Sequence, residues 1–263
     1  MSQDRNRHVR EKPYQTEMAT FGEVPRGNTA AGVNKTILEY LHKNLTRNRW
    51  TSLLDLPCGN GMFLSAIKKH FAMKVKGGDI REKPAILSPD EYRVIDAASP
   101  FPALPDEKFD VITCISGIGE FGNTSQFFDY CRTRLNDGGA LFVSNDNVAT
   151  IQDRLLYLVL GRTRRMKLFR IYRQSLWNLI PIAILIRFLH DAGFAIEDIR
   201  YLANKKKDYW MLPPALLVFP VQYLYVYFAF FFEKVRAPYD LRRKMYPFRS
   251  LYSAHYVVIA RKA

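Results

Sequence analysis

The segment 52–61, Ser-Leu-Leu-Asp-Leu-Pro-Cys-Gly-Asn-Gly, constrains the fold more than any other part of the chain. Its apolar start, Ser52 to Leu56, reads as a buried strand, and it breaks at once into a turn carrying Gly59 and Gly61. A helix is predicted from about Met62 to His70. The glycines let the backbone take conformations closed to other residues and approach a ligand closely. The helix beyond offers amide donors that have no partner within the helix. In open α/β sheets such a strand–turn–helix unit faces the carboxyl edge, where ligands bind at the point of strand reversal.

Alternation of strands and helices continues on both sides of this segment. A helix capped near Asn28 is predicted, with Val33, Ile37, Leu38, Leu41 and Leu45 on one side. Further strands are predicted to end at Asp79, to run over Tyr92–Asp96, and to run over Phe109–Ile115. A helix over about 123–135 leads through Gly138-Gly139 into a fifth strand, Ala140–Ser144. A helix carrying Ile182, Leu185, Ile186 and Leu189 ends at Gly193, followed by strands at Phe194–Tyr201 and Tyr256–Ala260. The expected architecture is α/β: a doubly wound, mostly parallel seven-stranded sheet with an apolar, basic helical insertion. Residues 1–27 read as a flexible basic arm. Residues 28–203 and 251–263 read as the Rossmann-like domain, and 148–176 and 204–250 as helical insertions.

The segment Asp55-Leu56-Pro57-Cys58-Gly59-Asn60-Gly61 resembles the first motif of the class I S-adenosylmethionine-dependent methyltransferases. Asp79 lies 20 residues past Gly59, where that family places the acid that binds the ribose. Asp96-Ala97 ends the third strand, at the family's adenine contact. Phe109–Ile115 with Ser116 matches its fourth strand, and Leu135–Leu141 its turn into the fifth. The resemblance is close over residues 50–145 and looser over 178–203 and 252–262. It implies S-adenosylmethionine as cofactor and S-adenosylhomocysteine as product. It places cofactor contacts at Asp55, Pro57, Cys58, Gly59, Gly61, Asp79, Ile80, Asp96, Ala97, Ile115 and Ser116. A nicotinamide-binding domain would carry glycine or alanine at the third position of G-x-G-x-x-G, where this chain has Leu64. The same residues admit structural roles: Asp55 as a helix cap, Asp79 as a turn residue, Asp96 as a solvated strand end.

Methyl transfer to oxygen needs close positioning and a base for the hydroxyl proton. Glu120, after the fourth strand, and Asp146, after the fifth, are the candidates. Many relatives place a histidine near Glu120, and this chain departs from that pattern. His190 reads as a helix-end residue, and His8, His42, His70 and His255 as structural or exposed. Cys114-Ile115-Ser116-Gly117 is not the Asn/Asp-Pro-Pro-aromatic motif used on nucleobase amines. Cys58, Cys114 and Cys131 lack zinc-ligand spacing, so no metal is expected, and reduced thiols point to the cytoplasm.

The formal charge of +14 favours an anionic partner. Residues 209–232 carry no charge and are rich in aromatic side chains. Pro213, Pro214 and Pro220 are expected to break a helix there. Lysines 205–207 precede the stretch, Lys234, Arg236, Arg242, Arg243 and Lys244 follow it, and a further basic run spans Arg162–Arg173. An apolar anchor flanked by cations suits the surface of an anionic membrane, at about 1 kcal/mol per well-placed charge. Burial in a homo-oligomer interface is the competing explanation. The expected protein is a monotopic methyltransferase on the cytoplasmic face of a membrane. It acts on an amphiphilic or lipid-linked acceptor, a saccharide first, a quinone or phospholipid next. Two other functions stay open: an RNA methyltransferase, with nucleic acid disfavoured by the uncharged stretch, and a non-catalytic cofactor-binding subunit.

Overall fold

The computed structural model describes residues 21, 24, 27–97, 106–166, 178–202, 206–229 and 237–262, excluding the side chains of Lys206 and Lys207. Seven strands form one sheet: β1 (Ser52–Asp55), β2 (Lys74–Asp79), β3 (Tyr92–Val94), β4 (Phe109–Ile115), β5 (Leu135–Asp146), β6 (Phe194–Leu202) and β7 (His255–Lys262). Their order is β3-β2-β1-β4-β5-β7-β6. β1 to β5 pair in parallel, and β7 lies antiparallel between β5 and β6. The direction of strand addition reverses between β1 and β4, which opens the cleft at their carboxyl ends.

Period-two alternation divides the core. Leu54, Leu56, Ile112, Cys114, Leu141, Val143, Val258 and Ala260 face helices α3 (Thr124–Arg134) and α5 (Ile182–Asp191). Leu53, Val111, Ala140, Phe142, Val257 and Ile259 face α1 (Val33–Asn48) and α2 (Met62–His70). Strands apolar on both faces need such a double cover, and the stripe Ile37, Leu38 and Leu41 supplies part of it.

Several boundaries differ from expectation. α1 starts at Val33, with left-handed Gly32 rather than Asn28 at its N-cap. Residues 27–29 instead cross the glycine turn: a Cβ on Gly27 would lie 3.2 Å from Asn60 Oδ1. Phe21, assigned to the arm, is buried edge-on against His42 and His70, so the packed chain begins before residue 27. Residues 1–20 lie outside the described residues. β5 begins at Leu135, because Phe109 pairs with Leu135 and Val111 with Ala140, and residues 136–139 bulge from the ladder.

The prolines do not break the apolar stretch. α6 (Leu212–Phe228) is continuous, with Pro213 and Pro214 in its first turn, where no internal amide bond is lost; Pro220 lies inside it. Among the described residues one face of α6 packs, burying Ala215, Gln222 and Val226. Ala215 meets Ile151 of α4 (Ile151–Leu160) and Leu251, and Arg154 Nη2 donates to Gln222 Oε1 at 2.8 Å. The remaining surface is apolar and exposed: Leu217 and Leu158 are each 80% accessible. Asp208–Phe228 is long and apolar enough to cross a membrane. A single crossing would separate β6 from β7, which pair on either side of it in the chain. α7 (Tyr239–Met245) follows, and Met245 returns to the core.

Arg164 fastens α4 to the sheet. Its guanidinium donates to the carbonyls of Asn147 and Ala254 at 2.8 and 3.1 Å and lies 3.1 Å from the buried carboxylate of Asp153. Replacing one partner of such a pair leaves the other charge buried and unpaired. Arg164→Ala is therefore expected to cost about 3 kcal/mol of unfolding free energy, measured by urea denaturation. A loss within about 0.5 kcal/mol, typical of surface substitutions, would contradict the clamp.

Candidate active site

The site forms where the β1 turn meets the end of β4. Gly59 and Gly61 adopt positive φ, 56° and 74°, which the turn into α2 requires. A Cβ built on Gly59 would meet only Asn28 Nδ2, at 3.9 Å, so the turn borders open space. Gly117 serves a different need: a Cβ there would fall 2.1 Å from the ring of Pro57, so only glycine lets β4 end against the turn.

Asp79, at the end of β2, accepts the Gly59 amide on Oδ2 at 2.7 Å and the Arg81 amide on Oδ1 at 3.1 Å. It fixes the turn and retains acceptor capacity on both oxygens. Ile80 beside it is 64% exposed; β3 ends at Val94 rather than at Asp96, and Asp96 is exposed two residues past it. The buried Ala97 carbonyl accepts from Gly122 at 2.6 Å. Half-buried Ile115 ends β4, and Ser116 follows at φ 57°, a left-handed conformation unusual for serine. Its amide bonds Ser144 Oγ at 2.9 Å, and its hydroxyl lies 2.7 Å from Thr29 Oγ1. An open glycine turn, an acid at the second strand end and an exposed apolar residue beside it fit the nucleoside and amino-acid parts of S-adenosylmethionine.

Two motif residues lie beneath this surface. Asp55 is 1% exposed and accepts from Thr113 Oγ1 at 2.6 Å. Burial pushes its carboxyl up to about 8, against the Thr113 bond and with a contribution from Asp79. Cys58 is buried, and burial with the nearby Asp55 and Asp79 charges pushes its thiol far above the ordinary range. Its amide bonds the Gly78 carbonyl at 2.9 Å and its carbonyl receives Gly61 at 3.0 Å, so it shapes the turn as a neutral thiol.

The two base candidates stand apart. Burial raises the Glu120 carboxyl, helped by the charge of Asp79 and opposed by Arg81, which puts Glu120 on the cofactor side. Asp146 ends β5, one pleat beyond Ser144 and on the same face. It pairs with His255 Nδ1 at 2.9 Å and contacts Arg165. Burial alone would raise its carboxyl, but the His255 bond and the Arg165 charge outweigh it and hold it below the usual range. Thr29, Thr113 and Ser144 carry no signal of their own in the sequence, since each joins the site from a distant segment. Arg165 reads there only as part of a basic run and His255 as structural or exposed; in the fold Arg165 contacts Asp146, and His255, 12% exposed, meets the Asp146 carboxylate where β7 opens at the carboxyl edge. Lys167, Arg170 and Arg173 of the basic run lie outside the described residues.

A profile of the methyltransferase domain matches residues 28–199, most of the chain. The chain belongs to this methyltransferase family. Curated relatives agree: a ubiquinone biosynthesis O-methyltransferase of Histophilus somni is 28% identical over 127 residues, 44% of this chain and 53% of the relative. One from Pseudomonas fluorescens is 27% identical over 62% of this chain and 72% of the relative. The chain thus spans about half the length of the first of these. A SAM-dependent methyltransferase from Archaeoglobus fulgidus superposes with TM-score 0.50 at 13% identity, covering 87% of this chain and 94% of that one. The [4+2]-cyclase SpnF does so with TM-score 0.51 at 15% identity, covering 91% and 84%. These two show the class I fold, and the cyclase shows that the fold alone does not set the reaction. The family's methyl donor is S-adenosylmethionine, leaving S-adenosylhomocysteine.

Asp55 yields a pH prediction. Its folded-state value lies above the ordinary carboxylate value of about 3.9, so its stabilising contribution is full below about pH 4 and declines as pH rises to about 8. Asp55→Asn keeps an acceptor for Thr113 and cannot ionise. The variant is expected to lose the decline in unfolding free energy between pH 4 and 8, on the order of a few kcal/mol, in chemical denaturation across pH. An equally steep profile in the variant would contradict it.

Proposed function

We propose that this methyltransferase transfers a methyl group from S-adenosylmethionine to a hydroxyl oxygen of an amphiphilic acceptor drawn from a membrane surface. The observation that carries this reading is the position of the exposed apolar helices. Arg164 binds α4 to the carbonyls of Asn147 and Ala254, immediately beyond Asp146 and before His255. The apolar surface of α4 and α6 therefore begins beside the acceptor end of the cleft. Leu155, Tyr157, Leu158 and Val159 of α4, with Leu216, Leu217, Val221 and Leu224 of α6, are exposed. Contiguous apolar surface of this kind marks an interaction site, and both ends of α6 return to one sheet, as a helix lying in the interface plane requires. Exposed Arg165, Arg243 and Lys244 nearby suit an anionic leaflet.

The names of the curated relatives favour a hydroxyl on a ring that carries an isoprenoid tail, ahead of a lipid-linked saccharide. Incubating the protein with methyl-labelled S-adenosylmethionine and membrane lipid extract is expected to label an organic-soluble product resistant to mild alkali, as an ether is and an ester is not. Label confined to RNA or to aqueous metabolites would contradict the reading. The docking surface has its own test. Replacing Leu158, Leu217 and Val221 together by Ser is expected to weaken binding to anionic vesicles at least tenfold in a flotation assay, with an unchanged circular dichroism spectrum. Unchanged flotation would sink the membrane surface and favour burial in an oligomer.

A further inference from the structure

We infer that His255 is the general base of the reaction and that Asp146 is its positioning residue; this rests on the O-methyltransferase reading above. The two residues face each other in register across β5 and β7. Asp146 lies two residues beyond Ser144, about 7 Å along the strand from the side chain that holds the Ser116 amide. The pair therefore stands at the carboxyl edge, over the strand next to β4, where an acceptor would reach the cofactor cleft.

The chemistry of the pair divides the roles. Asp146 is held by His255 Nδ1 and by Arg165 from the segment after α4. A carboxylate with two cationic or donor partners is a poor proton acceptor. It is well suited to fix an imidazole with its proton on Nδ1, which leaves the Nε2 lone pair for substrate. His255 is 12% exposed, and among the described residues no group bonds its Nε2. The groups that face it are Asp146 from β5, Arg165 through that carboxylate, and Leu202 across β6.

In the step, the acceptor hydroxyl gives its proton to Nε2 while the oxygen lone pair forms the O–C bond. The C–S bond of the sulfonium donor breaks, and its electron pair stays on sulfur. The products are a methyl ether, the neutral thioether and an imidazolium paired with the Asp146 carboxylate. The imidazolium then releases its proton to water.

The test uses the full-length protein and two readouts. In histidine-labelled 15N NMR without cofactor, recorded at about pH 8.5, where an ordinary imidazole is neutral, wild-type His255 is expected to show a protonated Nδ1 and an unprotonated Nε2. Asp146→Asn is expected to move the proton to Nε2. In turnover with a membrane lipid extract that the wild type methylates, His255→Asn and Asp146→Asn are each expected to lower kcat by about 10²-fold or more. Calorimetric Kd values for S-adenosylmethionine are expected to stay within about threefold of wild type, which shows that the variants fold. Turnover of His255→Asn within tenfold of wild type, or a protonated Nε2 in the wild type, would overturn the assignment alone. A wild type that binds the cofactor and methylates no extract would overturn the function and this inference together.

Discussion

Asp79 and the Gly59 amide are joined by one short hydrogen bond, and the arrangement of the cleft follows from it. The bond ties the end of β2 to the turn after β1. With the turn held, Pro57 packs into the space that Gly117 leaves at the end of β4. Beside it Ser116 adopts a left-handed conformation, and its amide turns to Ser144 on β5. Four strand ends are thereby set relative to one another by the Asp79–Gly59 and Ser116–Ser144 bonds and by the packing of Pro57 on Gly117, which a side chain at Gly117 would disturb. Asp55 contributes from below as a buried carboxyl bonded to Thr113, which explains a motif acid that does not reach the surface of the cleft.

The parts governed by local periodicity were legible in the chain. Strands apolar on both faces, glycine turns at their ends and helices with one apolar stripe predict the doubly wound sheet, and each of its seven strands overlaps a predicted one, with β3 ending earlier at Val94 and β5 starting earlier at Leu135. The boundaries that moved were set by tertiary contacts. Asn28 has the chemistry of a helix cap, but residues 27–29 are drawn across the glycine turn and α1 waits until Val33. Pro213 and Pro214 look like helix breakers until their position in the first turn of α6 is known. The acceptor side was the least legible. The Asp146–His255 pair joins residues 109 apart, and only the antiparallel insertion of β7 beside β5 brings them together.

The basic, apolar insertions share a logic with the site. Arg164 and Arg165 are neighbours in the chain with different duties: one clamps α4 to the strand ends beside a buried Asp153, the other reaches Asp146. The surface proposed to meet lipid is therefore bonded directly to the strands that carry the proposed base. An acceptor with an apolar tail would enter along α4 and α6 and present its polar head at the edge of the sheet.

Calorimetric titration with S-adenosylmethionine, wild type beside Asp79→Ala, tests the central claim most directly. The account predicts micromolar binding by the wild type and a loss of at least about tenfold in the variant, which gives up both a cofactor acceptor and the tie to Gly59. Equal affinity in the two proteins, or no binding by the wild type in detergent or lipid, would contradict it.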